Sequence, residues 1–253
     1  MRVFTTSDIH IDYEENRAWI ANLSQEDYQS DLLILAGDIS DDVRLVDWAF
    51  GELRRKFAGI FFVPGNHDLW VRRDTETTSV DKFHHLLRLA QEHGVATQPF
   101  HHRTLSIVPL LGWYDYSFGK PGEQLLNSWL DFHACRWPPE MTVQEIAAYF
   151  LSLNRHVLSV ENETIISFSH FLPRIDLMPS FVPKQFHFLY PALGSEVIDR
   201  QVRLLKASRR LHVYGHSHLN RRVIIDHVEY INNAYGYPSE QSITLKDLLC
   251  IYQ

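Results

Sequence analysis

Apolar runs of only four or five residues recur along this chain, and each ends in a polar turn. The clearest occupy residues 3–6, 32–36, 60–63, 164–168 and 211–214. Their length and β-branched content read as buried strands. The stretches between several of them carry a helical period. Residues 42–57 place Val43, Val46, Trp48, Ala49, Phe50 and Leu53 on one broad face, and 79–93, 142–160 and 195–207 behave similarly. Strands alternating with helices predict a layered α/β domain. Residues 104–112 and 221–232 look like further strands, expected as antiparallel additions. No repeat, low-complexity tract or linker divides the sequence, so one domain spanning 1–253 is expected, large enough to bury a core without staples.

Composition narrows the function classes. No apolar run approaches the length of a membrane span. No signal-like segment follows Met1, and two cysteines, Cys135 and Cys250, are too few for a disulfide framework, so a reduced cytoplasmic setting is expected. A formal net charge of −7, with no basic tract, argues against general nucleic-acid binding. Two segments differ in texture from the rest. Residues 113–139 and 171–191 are rich in aromatic residues, Gly and Pro and lack periodicity, so they read as long ordered loops or short helices. Loops of that length inside a compact domain are often functional.

The most informative pattern lies where the five runs stop. Residues 3–6 lead into Asp8-Ile9-His10, and 32–36 into Gly37-Asp38 with Asp41 and Asp42 beyond. Residues 60–63 lead into Gly65-Asn66-His67-Asp68, 164–168 into Ser169-His170, and 211–214 into Gly215-His216-Ser217-His218. Each turn has a plain structural alternative. Asp38 could cap the next helix, Asn66-His67-Asp68 could be a tight turn, and a lone His170 could be a hydrogen-bonded core histidine. Those alternatives must all hold at once, each at a strand end. In open α/β sheets ligands bind beyond the carboxyl ends of the strands, so the five turns can converge on one site.

Taken in order, these blocks resemble the calcineurin-like metallophosphoesterase superfamily, whose pattern is D-x-H, G-D-x-x-D, G-N-H-D/E, a lone His and G-H-x-H. The resemblance spans residues 8 to 218. It implies a four-layer αββα sandwich with a dinuclear metal centre at the C-terminal ends of the strands. It further implies one metal on Asp8, His10 and His218, a second on Asn66, His170 and His216, and Asp38 bridging them. His67 would be the acid or transition-state donor, with Asp68 orienting it. Asp42-Val43 follow Asp41 where protein Ser/Thr phosphatases carry Arg-Gly, Asp41 stands where purple acid phosphatases use a Tyr ligand, and His67 stands where the lipid A pathway pyrophosphatases have Arg.

Two cations about 3.5–4 Å apart can hold a hydroxide, lower its pKa and clamp phosphoryl oxygens. Mixed N/O ligands suit Mn, Fe, Zn or Co better than Ca or Mg. With Asp8 and Asp38 ionised, two divalent ions and one bridging hydroxide leave a site charge of about +1, so an anion is attracted although the chain is negative. The expected activity is hydrolysis of a small phosphomonoester or phosphodiester, with His67 protonating the leaving oxygen and Asp68 either fixing its tautomer or capping a helix. Asn66 would also face the substrate. Arg174, four residues after His170, could touch a phosphate oxygen, its alternative being a surface salt bridge. The remaining histidines read as surface or packing residues, with His133 and His187 as the exceptions to watch. The competing functions are a non-catalytic metal-binding scaffold and, last, a nuclease. The aromatic segments are expected to rim the metals or to form a homodimer interface.

Overall fold

The computed structural model describes residues 1–73 and 77–253. Among them, ten strands form two sheets. In the first, β1 (Val3–Thr6), β2 (Leu32–Leu35) and β3 (Gly59–Phe62) run parallel, and β10 (Leu249–Tyr252) is antiparallel to β1. The second has the order β4 (Phe100–His102), β5 (Leu105–Pro109), β6 (Thr164–Phe168), β7 (Arg209–Tyr214), β9 (Val228–Asn232), β8 (Arg221–Ile225). Helices α1 (Glu14–Asn22), α2 (Val43–Arg54) and α3 (Ser79–Glu92) precede β4, and α4 (Glu123–Ser128), α5 (Asp131–Ala134) and α6 (Val143–Leu153) lie between β5 and β6. Helix α7 (Glu196–Leu204) precedes β7. No helix among the described residues is long and apolar enough to cross a membrane.

Strand alternation builds the layers. Leu32, Ile34 and Ala36 face one way and meet Ile107, Ile166 and Val213 of the other sheet in an apolar inter-sheet core. Leu33 and Leu35 face the other way, into the larger cluster that holds Val46, Ala49, Phe50 and Leu53 of α2. Those four residues recur at helical spacing, so α2 buries a single stripe. Strands β1–β3 are therefore buried on both faces, as in sheets covered on both sides. Side chains cap three of these helices: Asp42 accepts from the Arg44 amide at α2, and Thr78 with Asp81 at α3 and Thr142 with Glu145 at α6 form capping boxes.

Two expectations about strand direction need correction. The sequence predicts residues 104–112 as an antiparallel addition, yet β5 pairs parallel with β6 and is antiparallel only to the short β4. The long crossover through α4–α6 returns the chain in the same direction, as a parallel pair demands. Residues 221–232 form a hairpin whose two-residue turn, Asp226-His227, has φ of 49° and 65°. Positive φ at both positions marks the turn type that matches strand twist. Only β8 of that hairpin is an antiparallel edge, and β9 runs parallel to β7. The helix expected over 142–160 is shorter because Asn154, at the C-cap of α6, turns its side chain to the backbone of Leu111.

The sheets are tied together at the end where the turns gather. The Ser7 amide donates to the Asn233 carbonyl at 3.1 Å, and the Tyr235 amide to the Ser7 carbonyl at 2.8 Å. The segment after β9 is thereby stitched to the segment after β1, beside the loops that follow β2, β3, β6 and β7.

Candidate metal centre

The turns after the strands are bent in a way that ordinary side chains resist. Asp8, His10, Asp38, His216 and His218 all have positive φ, between 46° and 70°. For non-glycine residues this region costs of order 1–3 kcal/mol each and persists only where surrounding structure enforces it. The enforcement is visible. Asp68, fully buried, accepts hydrogen bonds from the backbone amides of Gly65, Asp38, Ile39 and Ser40 at 2.8–3.1 Å. One carboxylate thus pins the loop after β2 to the loop after β3. Gly65 permits the approach: a Cβ there would lie 2.7 Å from the Asp38 amide nitrogen.

These bends bring seven side chains into two adjoining groups. In the first, His218 Nε2 lies 3.2 Å from Asp8 Oδ1 and 3.1 Å from His10 Nε2. In the second, His170 Nε2 lies 3.0 Å from Asn66 Oδ1, 3.1 Å from His216 Nδ1 and 3.4 Å from Asp38 Oδ2. Asp38 also falls within a compact group with His10 and His67, which places it between the two clusters.

Hydrogen bonds on the far side of each ring decide what faces inward. His170 Nδ1 donates to the Ala36 carbonyl at 2.9 Å, and His216 Nε2 donates to the Ala192 carbonyl at 3.1 Å. The two inward nitrogens, His170 Nε2 and His216 Nδ1, lie 3.1 Å apart and both approach the Asn66 oxygen, so all three atoms converge where a shared cation would take them as ligands. His218 Nδ1 donates to Glu240 at 2.6 Å, the carboxylate–imidazole pairing that commonly orients metal-bound histidine. The Asn66 amide nitrogen donates to Asp131 Oδ1 at 2.8 Å, so its oxygen is the atom left facing the cluster. Two oxygens from carboxylates, one amide oxygen and four imidazole nitrogens make a donor set suited to transition-metal ions.

Electrostatics point the same way. Burial opposes ionisation of Asp8, but His218 and His170 beside it hold its carboxyl down at about 2. Asp38, equally buried, is held well below the usual range by His170 and His67. Burial alone would depress His170 and His218. The adjacent Asp38 and Asp8 carboxylates instead raise them to about 9 and about 10. Burial keeps His216 down at about 3 and His10 well below its ordinary value. The pocket thus demands positive charge next to Asp8 and Asp38.

His67 stands beside this group. Its ring stacks on Trp70 with centroids 3.6 Å apart, and its Nε2 is 3.9 Å from Asp38 Oδ2. Two residues expected near the chemistry act differently. Asp68 does not orient the His67 ring, and it caps no helix, because its oxygens are taken by the four backbone amides. Arg174 donates to Asp176 and Asp226 and is within 3.6 Å of Asp199. It lies outside the residues that line the cavity at the site, so the salt-bridge alternative describes it. Asp38 caps no helix either, since Asp42 performs that task for α2. His133 is exposed, and His187 stacks on Tyr190.

The sequence did not single out Trp70, Asp131, Tyr237 or Glu240. Tyr237 stacks on His10 with centroids 4.5 Å apart. Trp70 ends the short helical turn that His67 begins, whereas Asp131, Tyr237 and Glu240 sit away from the five motif turns and only the fold brings them in. A signal existed for Asp131, which lies in the first aromatic segment beside Trp129.

A cavity of about 690 Å³ opens from these residues. The two aromatic segments divide their labour. Trp113 and Tyr114 are buried in the core, whereas Trp129, Leu130, Phe181, Phe186 and Tyr190 wall the cavity next to Asn66, His67 and His216. No Lys or Arg is among the described residues that line it.

The chain is similar to known proteins. Residues 1–220 match the family model for calcineurin-like phosphoesterases. Among curated proteins, the acyl-carrier-protein phosphodiesterase PptH of Mycobacterium tuberculosis is 27% identical over 263 residues, covering 94% of this chain and 78% of that one. Among solved structures, the phosphopantetheinyl hydrolase PptH of the same organism superposes with a TM-score of 0.79 at 22% identity, covering 99% of this chain and 95% of the other. TT1561 of Thermus thermophilus gives 0.52 at 13% identity, covering 92% and 89%. At those identities the two structures speak for a shared fold.

Proposed function

The chain belongs to the calcineurin-like phosphoesterase family and is a phosphoesterase, and from that premise we propose that it hydrolyses a phosphodiester bearing one long, uncharged arm. Enzyme identity sets aside the non-catalytic scaffold reading. The observation that carries the proposal is the cavity: large, mostly apolar, continuous with the metal-ligand cluster and free of Lys and Arg among its described lining residues. A phosphomonoester is largely a dianion near neutral pH, and sites for such groups recruit Arg or Lys. A diester carries a single negative charge and two organic arms, one of which needs an apolar wall.

The residues divide the work as follows. Asp8, His10 and His218 would hold one cation, Asn66, His170 and His216 the other, and Asp38 both. Mn, Fe or Zn suits these donors. When bound, such a pair lowers the pKa of water and neutralises the phosphoryl oxygens. His67, half-buried in the cavity lining and stacked on Trp70, donates a proton to the departing ester oxygen. Trp129, Phe186 and Tyr190 take up the arm and exclude water from it. The PptH relative is named for acting on acyl carrier protein. A prosthetic arm joined to a carrier protein by a phosphodiester fits the same cavity and is larger than the small ester expected from sequence.

The test compares bis(4-nitrophenyl) phosphate, 4-nitrophenyl phosphate and a holo-acyl carrier protein with Mn-loaded enzyme. The expected result is a kcat/KM at least tenfold higher for the diester than for the monoester, with the carrier protein losing its phosphopantetheinyl arm by mass spectrometry. A preference for the monoester would overturn the diester assignment.

A further inference from the structure

Asp131 is 2% exposed and comes from the first aromatic segment, outside every motif turn. Its Oδ1 accepts from Asn66 Nδ2 at 2.8 Å and from Trp70 Nε1 at 2.7 Å. Its Oδ2 accepts from Trp129 Nε1 at 2.8 Å. All three partners are N–H donors, so a carboxylate is the one side chain of this size that can satisfy them together. Each partner touches a different part of the site. Asn66 presents its oxygen to His170 and His216, Trp70 stacks on His67, and Trp129 meets His216 edge-on with centroids 5.7 Å apart while it walls the cavity.

We propose that Asp131 is a positioning residue that couples the apolar cavity wall to the metal centre, fixing the Asn66 amide with one oxygen and the Trp129 wall with the other. This rests on the two-cation reading of the site. An amide rotates between two orientations of similar shape, and only the donor–acceptor pattern around it selects one. Asp131 makes that selection: with Asn66 Nδ2 bound to it, Oδ1 faces the cations. Without it, Asn66 can present its NH₂ group inward, which is no ligand. Because the same carboxylate holds Trp129, an arm settling against Trp129 and a cation settling on Asn66 stabilise one shared arrangement, and by linkage each favours the other.

The experiment measures Mn binding by calorimetry and electron paramagnetic resonance on the full chain and four variants, with near-UV circular dichroism as the check on folding. Wild type binds two ions. Asp131→Ala weakens the second ion by roughly 10–100-fold, the range typical for loss of an outer-shell partner. In Asp131→Asn, the new NH₂ group must oppose one of the three donors, and the loss is smaller. Adding Trp129→Phe to Asp131→Asn removes the opposed donor, lets the amide oxygen settle on Asn66 and Trp70, and restores affinity. Trp129→Phe alone keeps Mn affinity and raises KM for the diester. Rescue by a second substitution is the outcome that plain damage cannot mimic, and the double variant decides the question if Asp131→Ala does not fold. Native Mn affinity in Asp131→Ala, or a double variant no better than Asp131→Asn, overturns the proposal while leaving the two-cation reading intact. Failure of wild type to bind Mn overturns the reading itself.

Discussion

His170 Nε2 and His216 Nδ1 face each other across 3.1 Å, each ring already held by its other nitrogen. At the scale of single residues, that is the clearest statement of what the site is for. His67 is set apart from these ligands by its stacking on Trp70. His67→Asn is expected to lower kcat by about 10²–10⁴-fold with Mn content unchanged, and the fall should be smaller for 4-nitrophenyl esters, whose leaving oxygen needs little protonation. Equal losses across leaving groups would remove the proton-donor role. His212 illustrates the opposite kind of histidine. Fully buried between the hydroxyls of Ser167 and Ser169, it is pushed down to about 3 by burial. Its folded form stays neutral while the unfolded chain takes up a proton below its ordinary 6.5. The associated stability is therefore complete above pH 6.5 and is lost as pH falls toward 3, by about 1.4 kcal/mol per pH unit. His212→Gln should flatten urea-measured stability between pH 6.5 and 3, and an unchanged slope would contradict this.

At the scale of elements, the turns after the strands hold both the strain and the ligands. Gly65→Ala should destabilise the fold by about 3 kcal/mol or more and weaken Mn binding, because its Cβ would meet Asp38; a variant with native stability and affinity would refute the close-approach argument. The five motif turns were legible because glycine, carboxylate and imidazole stand at the ends of unmistakable strands. Strand direction was less legible. β5 and β9 carry no local mark of direction, and only pairing across the sheet makes them parallel. Sequence adjacency suggests His67 as the partner of Asp68, whereas in the three-residue helical turn His67–Leu69 its carboxylate meets four backbone amides. Arg174 was drawn toward the site by proximity in sequence to His170, while Asp176, Asp199 and Asp226 claim it in space.

The molecule as a whole is two sheets pressed face to face, stitched at the end where Ser7 meets Asn233 and Tyr235, with the cavity opening from that end. Sequence identified the aromatic segments but could not divide them into a part that fills the core, Trp113 and Tyr114, and a part that walls the cavity, Trp129 and Tyr190. Nor could it see that Tyr237 and Glu240, from the last stretch of chain, return to His10 and His218. Those assignments depend on long-range closure, which local periodicity does not encode. The whole arrangement serves one claim, that Asp38 stands between two cations. Anomalous X-ray diffraction from crystals of Mn-loaded protein tests it directly. Two peaks are expected about 3.5–4 Å apart, one against Asp8, His10 and His218 and the other against Asn66, His170 and His216, with Asp38 touching both. No peak at this position, or a single one that leaves Asp38 unbridged, would contradict the account.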